Sequence, residues 1–208
     1  KKLVKLLSHE NGWYRDTAQR LLLDDAGSGI DVELTLVVAR DSELSALHAI
    51  WTLTGRGSLN HRTVKKALVS QHRSVRVAAL RAGHQLLAAT ELLDMAKQSA
   101  SVSVAHHANM YLAAHNKVES VLLHLAETVV QNREDAMTRT AVHAAASGNE
   151  LALIEAMLEK NWREQDERST GFIKNLVSQN FKTNPGNGES LLDRVMRQDH
   201  QWLQEVML

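Results

Sequence analysis

Histidine is the side chain this sequence offers most freely for chemistry, with 11 among 208 residues. His106 and His107 are adjacent, and His107, Tyr111 and His115 follow at four-residue steps, so a helix there would carry two imidazoles on one face. His124 and His143 lie on later segments that could come near if helices stack. Neutral imidazole suits zinc and nickel, so a His-only metal site is the first chemistry to weigh. The surrounding sequence opposes it. No His-Glu-x-x-His phrase occurs, and no Asp or Glu lies between Asp94 and Glu119 to complete a cluster. The histidines are therefore expected to be surface or capped residues, with no metal bound.

Other catalytic patterns are missing. There is no cysteine, which removes disulfide scaffolds, Cys-based zinc sites, thiol nucleophiles, iron–sulfur clusters and c-type haem attachment. No Gly-x-Ser-x-Gly elbow, P-loop or Gly-x-Gly-x-x-Gly phrase occurs. The acidic pair Asp24-Asp25 runs straight into Ala26-Gly27-Ser28-Gly29 and reads as a helix end entering a turn, with no partner group that would make it a catalytic dyad. The expectation is no enzyme activity and no cofactor.

Charge offers a different function. Lys+Arg and Asp+Glu balance at 24 each, yet no acid occurs from Leu44 to Thr90, where Arg56, Arg62, Lys65, Lys66, Arg73, Arg76 and Arg81 fall. The segments on either side are net acidic, so a chain that stacks in sequence order would carry a basic middle able to steer an acidic partner. Arg56, Arg62, Arg73, Arg76 and Arg81 are the partner-binding candidates. Nucleic acid is not the expected partner, because a sequence pI near 7.4 lacks the broad basic excess of a DNA binder. Among the four Trp, Trp13 and Trp51 are expected to pack, with Trp13 sealing the turn that follows Asn11-Gly12. Arg15 and Asp16 are expected to brace turns between repeats.

These residues must be held by helices. One Pro, 10 Gly and 4% aromatics argue against a β-sandwich or barrel, and no run of 18 apolar residues exists to span a bilayer. A small residue recurs inside apolar segments at Ala18, Ala49, Ala79, Ala108 and Ala141, at spacings of 31, 30, 29 and 33. An alanine at a fixed place lets a neighbouring helix approach closely. Partner segments carry helical stripes, such as Val118, Val121, Leu122, Leu125 and Val129, or Leu151, Ile154, Met157 and Leu158. The pattern predicts helices over 1–8, 14–24, 32–40, 42–54, 61–70, 73–87, 90–99, 101–114, 117–131, 133–147, 150–164, 167–181 and 190–207. The apolar run Leu34 to Ala39 could be a strand in isolation, but its place in the repeat predicts helix. Asn116 with Glu119, Asn132 with Asp135 and Ser190 with Asp193 resemble capping boxes, while Gly27, Gly29, Gly55, Gly57 and Gly148 are placed as left-handed C-caps.

Each unit thus reads as a helical hairpin that cannot bury its stripe alone and stacks on the next. The fold class expected is all-α, a right-handed α-solenoid of helical hairpins over 1–148. Residues 149–208, which hold the breaker-rich Asn184-Pro-Gly-Asn-Gly188, are expected to be divergent hairpins capping the same stack.

The units resemble HEAT repeats, including Val75-Arg76-x-x-Ala79. The phrases Leu6-Leu-Ser-His-Glu-Asn-Gly-Trp-Tyr-Arg-Asp-Thr-Ala-Gln-Arg-Leu-Leu22, Leu47-His-Ala-Ile-Trp-Thr-Leu53 and Val75-Arg-Val-Ala-Ala-Leu80 are similar to the HEAT-repeat region of large membrane-bound dehydrogenases of planctomycete–verrucomicrobial type. Where that family often has two Trp after Asn-Gly, this chain has Trp13-Tyr14. The resemblance covers about residues 1–115. It implies a non-catalytic linker between a β-propeller and a c-type cytochrome domain, in the periplasm or at the cell surface. A first residue of Lys1 fits a piece of a longer chain. The function expected is a scaffold or protein-interaction module, its partner a flanking domain or an acidic protein. The alternatives are a peptide or acidic-ligand receptor on the concave face, and a DNA glycosylase-like enzyme of HEAT type.

Overall fold

In a computed structural model the structure describes residues 2–25, 27, 29–40, 42–115 and 118–131. The described residues are helical and contain no strand. Nine α-helices follow in order among them: α1 (Lys2–Leu6), α2 (Gly12–Asp24), α3 (Ile30–Val38), α4 (Glu43–Gly55), α5 (His61–Leu68), α6 (Arg73–Gly83), α7 (Ala89–Gln98), α8 (Val102–Tyr111) and α9 (Glu119–Gln131). Each matches an expected helix, and Leu34 to Val38 is helix rather than strand. Two ends differ from expectation. The tails His84–Leu86 and Leu112–His115 tighten into 3₁₀ turns, a common way to satisfy terminal carbonyls. The Ala141 repeat, the helices expected beyond residue 132, the capping boxes at Asn116, Asn132 and Ser190, and the 149–208 cap lie outside the described residues.

Contacts divide the chain into two compact units, Lys1–Ala108 and Asn109–Leu208. The division falls within α8, inside the span 1–148 that the repeat pattern treats as one body.

In the first unit α1 packs on α2, α3 on α4 and α5 on α6. Each pair is a hairpin. The second helices touch in the order α2, α4, α6, and the first helices touch in the order α1, α3, α5. The repeating alanines are what the second helices share: Ala18, Ala49 and Ala79 are each at most 1% exposed, as is Ala108 on α8. Around them Leu22, Leu34, Ile50, Leu53, Leu80 and Leu92 are fully enclosed. Burial of each such side chain stabilises the fold by roughly 1.5–3 kcal/mol, so the stripes are the dominant favourable term. Polar groups in this core are satisfied locally. The Thr52 hydroxyl donates to His48 O at 2.6 Å, and Asn60 Oδ1 accepts from Thr63 N at 3.0 Å and Thr63 Oγ1 at 3.1 Å.

Helix ends follow two recipes. Asn11 and Asn60 are N-caps for α2 and α5, their side-chain oxygens accepting from Trp13 N and Thr63 N. Helix α4 ends in a Schellman motif: Gly57, at φ 66°, donates to Thr54 O, and Ser58 N donates to Leu53 O. The other glycine caps expected among the described residues do not form left-handed C-caps. Gly29 has φ 90° but stands before α3 as its N-cap, and Gly55 is inside α4. Gly27 lies outside the left-handed region, its N–H bonded to Asp25 Oδ1 at 2.8 Å. The C-terminus of α2 is closed from elsewhere in the chain, as described below.

In the second unit, Leu112, Val121 and Leu125 are buried, and Val118 at the head of the α9 stripe is half-exposed. His124 is enclosed beside them, its Nε2 within 2.9 Å of Asn109 Oδ1.

Gly83 tests how tightly the hairpins close. A Cβ added there would enter the van der Waals surface of Val64, which is β-branched, buried and unable to swing aside. A Cβ on Gly55 would meet only the Cδ2 end of Leu23, a half-exposed and flexible chain, at 2.6 Å. Gly83→Ala is expected to lose roughly 1–3 kcal/mol through overpacking despite alanine's better helix propensity, while Gly55→Ala changes little. Urea denaturation of both variants measures this; a Gly83→Ala protein as stable as the parent would refute the close contact.

Candidate interaction surface

The side chains with the greatest chemical potential join one hairpin of the first unit to the next. Arg56, just after α4, donates from Nε to Asp31 Oδ1 on α3 at 2.6 Å, and from Nη1 to Leu22 O and Asp25 O at the end of α2, each at 2.6 Å. A single guanidinium thus closes the C-terminus of α2, where the helix dipole favours a cation, and pairs with the first turn of α3. On the next level, Glu91 of α7 accepts from Lys65 Nζ of α5 at 2.7 Å and lies 3.1 Å from His61 Nε2. It also accepts from Ala88 N at 3.0 Å, capping its own helix. Ser74 of α6 donates to Glu43 of α4, and the hydroxyls of Thr35 and Thr63 meet at 3.4 Å between α3 and α5. These links span 25 to 34 residues, the length of one repeat.

Arginine also braces turns within hairpins. Arg15 Nη1 donates to His9 O at 2.7 Å and Glu10 O at 2.8 Å, and Arg76 Nη1 donates to Ser70 O at 2.6 Å and Gln71 O at 3.0 Å. Both reach back six and five residues from the same repeat position, three before the alanine. The bracing expected of Arg15 with Asp16 is between repeats; the turn that Arg15 braces lies within its own hairpin, through backbone carbonyls. Trp13 does not seal this turn: it is 65% exposed, edge-on to Tyr14, and the turn is closed by Asn11 and Arg15 instead.

Arg15 completes a partly buried relay between α2 and α4. Its Nε donates to His48 Nε2 at 3.3 Å, so the imidazole proton sits on Nδ1, which donates to Gln19 Oε1 at 2.6 Å. Burial lowers the pKa of His48 from its ordinary value, opposed by Asp16 and assisted by Arg15.

The five candidate arginines do not come together. Arg56 is turned inward, its side chain only 12% exposed and its Nε and Nη1 engaged, so it is withdrawn from the expected surface. Arg76 holds its own turn. Arg62 belongs to α5, on the first-helix side, where with Lys66 it borders an open groove of about 350 Å³ lined also by Asp31, Val32, Thr35, Leu36, Asn60 and Thr63. Arg73 and Arg81 are exposed on α6, on the second-helix side. The basic middle read from the sequence is therefore split between two helix rows and partly consumed by the fold.

The second-helix row carries a surface that sequence reasoning missed. Counted from each repeat alanine, the residues five before, two before and two after share one helical face. They are Trp13, Asp16 and Arg20 on α2, Leu44, Leu47 and Trp51 on α4, and Ser74, Val77 and Arg81 on α6. None is buried, and Leu44 and Trp51 are 48% and 37% exposed. The Arg81 guanidinium lies 5.8 Å from the centre of the Trp51 ring, which shows that equivalent positions on α4 and α6 are neighbours. The signal was present in the sequence as the non-alanine positions of the repeat.

Several of the described histidines have separate partners within the fold. His107 Nδ1 donates to Ser103 O at 2.7 Å, and the His106 and His107 rings stand edge to face. No group of three or more His, Asp or Glu converges among the described residues, and His143 lies outside them. Among the described residues no helix is long and apolar enough to cross a membrane. No protein-family model matches this chain, nor does any curated protein or solved structure.

The polar links set a pH dependence. Hydrogen bonds from Lys65 and from Ala88 N lower Glu91 to about 2 from an ordinary 4.5, with His61 contributing. A carboxylate held this low stabilises the fold above 4.5, and that contribution disappears as pH falls towards about 2. Glu91→Gln is expected to narrow the drop in thermal midpoint between about pH 5 and pH 2.5. An unchanged drop would show that Glu91 is not linked to folding. His48 has the same sign at higher pH: its neutral form stabilises the fold above its ordinary value and the contribution is lost on acidification. Imidazole ¹⁵N NMR should show the Nδ1–H tautomer and a midpoint below 6.5; an Nε2–H tautomer would contradict the relay.

Proposed function

We propose that this chain is a non-catalytic interaction and spacing module, an α-solenoid of HEAT-like hairpins of the kind that the resemblance implies for the linker region of a dehydrogenase-like protein. One observation carries the reading. Among the described residues, polar side chains suited to chemistry join hairpins about 30 residues apart, as Arg56 is joined to Asp31 and Lys65 to Glu91. A catalytic site needs such groups converging on a space where a substrate can sit. Here these linking groups converge on backbone and on each other.

The contacts in row order and the alanines buried at each level support the solenoid form. What the units leave outward is a repeated, largely side-chain surface, which is how stacked helical repeats engage protein partners. The first-helix groove bordered by Arg62 and Lys66 is a second, open surface of the same unit.

Selection of a random displayed-peptide library against the immobilised chain tests this reading. Peptides that enrich, are displaced by soluble chain and bind more weakly as salt rises are the expected result. Arg73→Glu and Arg81→Glu should each reduce that binding, with the far-ultraviolet circular dichroism unchanged. A library with no enriched binder would overturn the proposal.

A further inference from the structure

Resting on that reading, the second-helix face points to a particular partner chemistry. We propose that Trp51, flanked by Arg20 and Arg81 at the same repeat position on α2 and α6, forms a docking strip for an extended acidic peptide segment. The segment presents an apolar side chain to Trp51 and a carboxylate to each arginine.

Three observations carry this. The first is position: Arg20, Trp51 and Arg81 each lie two residues after a buried alanine, on helices that pack side by side, and all three are exposed. They form one row across the unit. The second is pre-organisation. The Arg81 guanidinium carbon lies over the Trp51 ring, 5.8 Å from its centre, and a guanidinium held over an aromatic face keeps its in-plane donors for a carboxylate while losing less side-chain freedom on binding. The third is the floor beside the row, where Leu47 and Val77 are half-buried and Leu44 is largely exposed. A bare apolar strip bordered by cations fits an amphipathic acidic ligand, and does not fit a basic or fully polar one.

The acids near the row are unevenly placed. Asp16 and Asp24 each lie one turn from Arg20 on α2, and Glu43 is engaged by Ser74 with His72 3.7 Å away. No Asp or Glu lies on α6, so the Trp51–Arg81 end of the row attracts a carboxylate most strongly.

Geometry fixes the spacing. Packed helices lie 8–10 Å apart, so Arg20 and Arg81, two helices apart, are separated by roughly 16–20 Å. A chain in polyproline II form covers that distance in about six residues at ~3.1 Å each and, with three residues per turn, turns every third side chain to the same face. The ligand is therefore acid, two spacers, apolar residue, two spacers, acid.

The test is titration of the full chain with the peptide Glu-Ser-Ser-Leu-Ser-Ser-Glu, read by the indole N–H resonances of its tryptophans, with Trp51 assigned through Trp51→Phe. The expected result is a saturable shift at Trp51, weakened about tenfold by Arg20→Glu and by Arg81→Glu, as for a charged contact at an interface centre. Arg62→Glu, on the first-helix row, should leave it unchanged. All three substitutions are at exposed positions, and circular dichroism checks that each variant folds. The proposal is overturned by no shift at Trp51, by an equal shift with Lys-Ser-Ser-Leu-Ser-Ser-Lys, or by an equal loss with Arg62→Glu. Library peptides of other chemistry that leave Trp51 unmoved would sink this strip and leave the interaction module standing; a library with no binder removes both.

Discussion

Close approach of neighbouring helices at one small residue per hairpin is the constraint on which the first unit depends. A helix pair buries its apolar stripe only if another pair can come near, and Ala18, Ala49 and Ala79 provide the gap at each level. With a larger side chain in that place, the leucines around it would stand apart and lose both burial and dispersion contacts. The same closeness leaves no room for a Cβ at Gly83, where α6 meets Val64 of α5. Packing of this kind is repeated at intervals of about 30 residues, so the core is a series of similar small layers.

Charge then adds register to this packing. Hydrophobic contact alone does not specify how far one hairpin slides along the next. Arg56 does, because its guanidinium must meet both the end of α2 and the start of α3. Glu91 does the same for α5 and α7, and the Arg15–His48–Gln19 relay for α2 and α4. Groups such as these are directional and costly to leave unpaired once partly buried, so they select one arrangement from several of similar apolar area. Their engagement also explains why a chain with 11 histidines and balanced charge brings no three of its His, Asp or Glu together among the described residues.

Two kinds of residue were legible before the fold was known, and they differ in what specifies them. Helix positions and the alanine frame follow from local periodicity, and the described helices fall where that periodicity places them. Gly57 after Arg56 is likewise a local signal, readable from a residue and its near neighbours. The role of each cation was not legible. Arg56 and Arg81 look alike in sequence, but one is closed over by the preceding hairpin and the other lies on a tryptophan of the adjoining helix. Trp13 misled for the same reason: an aromatic after a turn is a sound guess for a seal, yet the turn was already filled by Arg15.

By itself, then, the sequence determined the helical class, the repeat length, the buried alanines and the absence of cysteine chemistry. All of these depend on residue type and on spacings within a single helix or a single repeat. Only the tertiary structure decided which polar groups face inward. It divided the basic stretch between two helix rows and laid Arg81 over Trp51 of the adjoining helix. The physical reason is that a side chain's exposure depends on what the next hairpin lays over it. That partner is about 30 residues away, too far for local pattern to encode, and is brought near only when the apolar stripes close.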